Sequence, residues 1–62
     1  MPNLTKKERL LKYIEMIAAY ELKLRNEGRD FFKKELLLDI ERMEKKEYQY
    51  QEIVGAVKFL LT

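Results

Sequence analysis

An all-α fold, a small antiparallel three-helix bundle, is predicted by three observations on this 62-residue chain. Apolar residues recur at helical spacing, the vocabulary is mostly Leu, Lys, Glu, Ile, Met and Ala, and start and stop signals bracket the first long segment. The start signal is Thr5-Lys6-Lys7-Glu8, a capping box in which the Thr5 hydroxyl accepts from the Glu8 amide while Glu8 reaches back to the Thr5 amide. Leu10, Tyr13, Ile14, Ile17, Tyr20 and Leu24 then follow the helical period, and Gly28 suits the left-handed position past a helix end. The first helix is expected over residues 6–26.

Asp30 is the expected cap of a second helix, over 30–46, whose inner face is Phe32, Leu36, Ile40 and Met43. The link from Glu27 to Asp30 is short enough to force antiparallel neighbours. Glu8–Lys12, Glu21–Arg25, Asp30–Lys34 and Glu41–Lys45 are spaced to support the helices in the favourable order. A third helix is expected over 50–61, from the stripe Ile53, Val54, Val57, Leu60 and Leu61. Between them, Lys46–Gln49 contains neither Gly nor Pro. The spacing Leu36, Ile40, Met43, Glu47, Tyr50, Val54, Val57, Leu61 alternates four and three straight across it. A two-helix hairpin that dimerises into a four-helix bundle, with one helix running from Phe31 to Leu61, is therefore the alternative. Gly55 and the β-branched residues weaken so long a helix and favour the break. The core expected is Leu10, Ile14, Ile17, Leu24, Phe32, Leu36, Ile40, Met43, Ile53, Val57 and Leu60, in one domain spanning 1–62.

Composition argues against catalysis. The chain lacks His, Cys, Ser and Trp, and its only non-phenolic hydroxyls are Thr5 and Thr62. The residues that most often ligate metals, attack electrophiles and shuttle protons near neutral pH are therefore missing. No Gly-rich phosphate loop or paired-acid motif is present, so no enzyme activity, cofactor, metal or small-molecule substrate is expected. A net charge of +2, from 13 basic and 11 acidic residues, is too mild to imply a polyanion partner. The basic start of the first helix, Lys6, Lys7, Arg9 and Lys12, points in several directions and reads as a solvated face, which leaves nucleic acid a disfavoured partner. Met1-Pro2-Asn3-Leu4-Thr5-Lys6-Lys7 has no apolar stretch behind its charges, and no apolar run nears membrane-spanning length. A cytoplasmic protein is expected. Small size and a Lys/Glu-rich composition suit a bacterial or phage gene.

Self-association or a protein partner is the leading expectation. So short a chain buries only about 60% of its unfolded surface, and it has no Cys or His with which to staple a small core. The sharpest candidate surface is Phe31 and Leu38, seven positions apart on the second helix and nearly opposite its core face, with Lys34 and Arg42 around them. Tyr13 and Tyr20 share a stripe on the first helix and form a second candidate edge, their rings on the core and their hydroxyls in water. Glu21, with Arg25 one turn on, falls on the apolar side of the first helix. The pair is either solvated where the bundle frays or a buried ion pair that sets register. Taken together, these features predict a non-catalytic protein-binding module, a small regulator or inhibitor that docks onto a larger protein. A structural homodimer or a weak nucleic-acid-binding protein is the alternative.

Overall fold

The computed structural model of the chain describes residues 4–62; Met1–Asn3, part of the start considered above, lie outside the described residues. Four helices follow one another, α1 (Lys6–Ala19), α2 (Glu21–Asn26), α3 (Phe32–Lys45) and α4 (Tyr50–Leu61), with no strand among the described residues. The all-α helical bundle is thus present. The capping box opens α1 as expected: the Glu8 amide donates to the Thr5 hydroxyl at 3.2 Å and the Thr5 amide to Glu8 Oε1 at 2.9 Å. The single first helix expected is instead two. At Tyr20 the turn tightens, its amide reaching back three residues to the Ile17 carbonyl at 3.0 Å, and α2 continues beyond it. No Gly or Pro marks this point, and nothing in the local sequence explains it.

The corners after α2 and after α3 each turn through a left-handed residue. After α2, Gly28 has φ 70°, its amide donates to the Arg25 carbonyl at 3.1 Å, and the Arg29 amide donates to Leu24 at 2.7 Å. After α3 the same pattern repeats with Glu47 at φ 61°: its amide donates to Glu44 at 3.0 Å and that of Tyr48 to Met43 at 3.2 Å. The chain therefore breaks over 46–49, and α3 and α4 are separate helices in this single-chain structure. Gln49 then opens α4: its amide donates to Glu52 Oε1 at 3.0 Å, and the Glu52 amide donates to the Gln49 carbonyl at 3.0 Å. Asp30 does not act as a side-chain cap. Phe31 precedes α3 with helical backbone, and the Asp30 carboxylate pairs with Lys33 at 3.1 Å rather than with Lys34.

Tyr13, Ile17, Leu24, Leu36, Ile40, Ile53, Val57 and Leu61 form the buried core, with Leu10, Phe32, Met43 and Leu60 packed partly buried against it. Two expectations change. Ile14 is exposed and Tyr13 is fully buried, so α1 is rotated toward its tyrosine side relative to the face expected. A buried phenol is tolerable because its hydroxyl finds a partner, described next. Leu61, rather than Leu60, is the fully buried residue at the end of α4. α4 lies against both α1 and α3, while α1 and α3 touch each other less.

Candidate interaction surface

Glu44 organises one end of the bundle. Its carboxylate accepts Arg9 Nε at 2.9 Å, Arg9 Nη2 at 2.8 Å and the Tyr13 hydroxyl at 2.8 Å. Arg9 Nη1 also donates to the Leu4 carbonyl at 2.8 Å. The fork of a guanidinium matches two carboxylate oxygens, which makes this the strongest polar contact between α1 and α3. Arg9 holds the Glu44 carboxyl below its ordinary range, chiefly by hydrogen bonding. Burial, followed by the bond to Glu44, pushes the Tyr13 phenol up. The ring of Tyr50, from α4, stacks on Tyr13 with centroids 5.8 Å apart.

This cluster corrects the reading of Tyr13 as a contact edge: its ring and hydroxyl are spent inside the fold. Tyr20, its expected companion, is half-buried against the core at the turn between α1 and α2. An open cleft of about 930 Å³ lies beside the cluster, lined by Lys6, Arg9, Glu44, Tyr48, Tyr50 and Gln51 among others. Within it, Arg9 and Glu44 are bonded to one another.

The Glu21–Arg25 pair forms at 3.4 Å, but its side chains are 42% and 64% exposed, so it is not a buried register pin. Lys33 makes the closer contact to Glu21, at 2.9 Å, and thereby ties the start of α2 to α3. That hydrogen bond is the main cause lowering the Glu21 carboxyl and raising the Lys33 ammonium.

Phe31 and Leu38 stand out from the core, 69% and 50% exposed. Arg42, beside them on the wheel, is held by Asp39 at 2.8 Å, while Lys34 is exposed and makes no ion pair among the described residues. A second apolar surface lies in a groove of about 290 Å³ between α1 and α3, lined by Ile14, Ile17, Ala18 and Leu37, with the Glu21–Lys33 pair at its edge. No α4 residue lines it. At about 100° per residue, Lys34, Glu41 and Lys45 fall between Leu37 and Leu38, so exposed charged residues separate the groove from the Phe31–Leu38 pair. Scattered exposed apolar residues need no explanation, whereas grouped ones mark contact sites. The sequence does not predict the groove: Ile14 and Ile17 both read as core, and Leu37 has no marked role. The position of Leu37 beside the Leu36–Ile40 face was the available signal.

Among the described residues no group of three or more His, Cys, Asp or Glu is placed to hold a metal ion, and no helix is long and apolar enough to cross a membrane. No buried side-chain nitrogen or oxygen among them lacks a hydrogen-bond partner. The geometry defines a small all-α bundle whose polar interior is internally satisfied and whose unsatisfied surface is apolar. No family model, curated protein or solved structure matches the chain.

Proposed function

We propose that this chain is a non-catalytic protein-binding module, a small regulator or inhibitor that docks onto a larger protein through the outer face of α3. The observation that carries the reading is the exposure of Phe31 and Leu38 on a helix whose core face is already filled by Leu36 and Ile40. Large apolar groups placed away from the core add little to a monomer and invite aggregation unless another chain covers them. Phe31 would serve as the aromatic anchor, Leu38 as its neighbour, and Lys34 and Arg42 as a basic rim that suits a partner with acidic residues around an apolar pocket.

Changing Phe31 to Ser and Leu38 to Gln together tests this. The doubly changed protein should keep its helical circular dichroism and lose a partner that the native chain retains in a pull-down from its source cell. Unfolding of the variant, or undiminished retention of the same partner, would reject the surface. The groove lined by Ile14, Ala18 and Leu37 favours a second reading, a homodimer, because an apolar groove bordered by the Glu21–Lys33 pair offers both signs of charge to an identical chain. Ile14→Gln should then abolish self-association without affecting the Phe31 contact.

A further inference from the structure

We propose that the chain exchanges α4 with a second copy of itself. Residues 46–49 straighten, α3 and α4 merge into one helix, and the α4 of each copy seats on the α1–α3 surface of the other. The hinge is the corner after α3. Glu47 holds φ 61° there, a left-handed conformation that L side chains with a Cβ disfavour and that a straight helix would remove. Lys45 to Tyr50 contains no Gly or Pro, and the four-three spacing from Leu36 to Leu61 passes through the corner without interruption. In a straight helix the Glu47 and Tyr48 amides would donate to Met43 and Glu44, and Gln49 and Tyr50 to Lys45 and Lys46, the ordinary four-residue pattern. Short strained hinges between elements that pack on each other are the usual setting for such exchange. The corner after α2 is unsuited to it, because Gly28 relaxes the same left-handed position and is a poor helix former.

The seat for the exchanged helix is also defined. Ile53, Val57 and Leu61 are fully buried against α1 and α3, and a partner's α4 would recover that burial. The Arg9–Glu44 and Tyr13–Glu44 bonds join α1 to α3 within one chain, so this part of the receiving surface stays assembled when α4 leaves. The polar and aromatic contacts that would re-form between copies are the Tyr13–Tyr50 stack and the bonds from Arg29 to the Leu60 carbonyl and from Lys23 to those of Leu61 and Thr62. Phe31 and Leu38 lie on the opposite face of α3, so the exchange does not depend on the docking role proposed above.

The test is sedimentation or light scattering across the micromolar to millimolar range, combined with an intrachain distance. The chain has no cysteine, so Lys34→Cys and Lys58→Cys accept spin labels specifically, and dilution into unlabelled protein isolates pairs within one chain. A concentration-dependent dimer is expected in which the labels stand about 36 Å apart along the merged helix. In the monomer, where α4 folds back on α3, the separation should be shorter. Glu47→Gly, which relaxes the corner and weakens the merged helix in both copies, should raise the dimer dissociation constant by about tenfold or more. Three results would each overturn the proposal: a native chain monomeric throughout, a dimer keeping the monomer's label separation, or a Glu47→Gly protein dimerising as tightly as the native one.

Discussion

At the corner after α2 the left-handed residue is Gly28; at the corner after α3 it is Glu47. The backbone solves the same problem twice, with the same pair of reverse hydrogen bonds, yet only the first corner uses the residue that fits without strain. What holds the two corners differs in the same sense. The Gly28 end is fastened by single-point contacts: Lys33 to Glu21, Lys23 and Arg29 to Glu27, part-buried bonds from Arg29 to the Leu60 carbonyl at 3.0 Å and from Lys23 to that of Leu61 at 3.3 Å, and Arg29 lying 5.1 Å from the centre of the Phe32 ring. Close to the Glu47 corner, the Glu44 side chain is 8% exposed and accepts three hydrogen bonds from α1, and Tyr50 stacks on Tyr13 just beyond. A strained turn coexists here with the one carboxylate that accepts both a forked guanidinium and a phenol, whereas the relaxed turn is held by single bonds between its charged side chains and their acceptors.

The largest effect that would separate the two ends is expected from Glu44→Ala. It leaves the Tyr13 hydroxyl and the Arg9 guanidinium without their shared acceptor, and should cost about 2–3 kcal/mol in chemical denaturation. The same end should dominate the response to pH. Because Arg9 holds the Glu44 carboxyl below its ordinary 4.5, the unfolded chain takes up the proton first on acidification, and the contribution is lost as pH falls from about that value. The phenol of Tyr13 lies above its ordinary 10.0, so in alkali the unfolded chain ionises first and stability drops as pH climbs past that value. Melting curves of the native chain should fall on both sides. Those of Glu44→Ala should be flatter on the acid side, and an identical acid slope would remove Glu44 from the account.

Gly28→Ala is next in size, with a cost of about 1–2 kcal/mol from forcing a Cβ into the left-handed region. Space is no obstacle, since a Cβ there would meet nothing within 4 Å, so a neutral result would show that the corner relaxes to another turn. Glu47→Gly should move the other way. At concentrations where the protein is monomeric it should gain roughly 0.5–1 kcal/mol, the left-handed strain relieved less the extra unfolded-state entropy of glycine. A loss instead would mean that the Glu47 side chain supports the corner. Smallest of all, Glu21→Gln should leave the melting temperature unchanged within error in moderate salt, because the exposed pairs at the Gly28 end are screened.

The contrast between corners also explains what was legible in the sequence. Thr5-Glu8 and Gly28 carry local signals, a capping box and a glycine after a helix, and the structure places both as read. The faces of α3 and α4 follow from periodicity, and Leu36, Ile40, Ile53 and Val57 are buried accordingly. Glu47 carries no such signal, which is why the sequence left a continuous helix as an alternative. The Arg9–Glu44–Tyr13 cluster was illegible for another reason. Its members lie 35 and 31 positions apart, and Glu44 sits in an all-polar run that resembles a solvated face. Without that partner for its hydroxyl, Tyr13 reads as an edge residue and Ile14 as core. With it, the helix rotates and the two exchange places. Phe31 and Leu38 were placed correctly as exposed, because seven-residue spacing opposite a filled face is a local property.

The stacked Tyr13–Tyr50 pair has a practical consequence. With no tryptophan in the chain, its near-ultraviolet signal comes mainly from its four tyrosines. Tyr13 is the one whose ring is wholly buried, and its hydroxyl donates to a carboxylate. Tyr48, by contrast, is exposed. Near-ultraviolet dichroism and phenol absorbance should therefore report chiefly on the junction of α1, α3 and α4, while far-ultraviolet dichroism reports on all four helices. Opening of that junction ahead of general unfolding would appear as a change in the first signal before the second, without attaching any probe to the molecule.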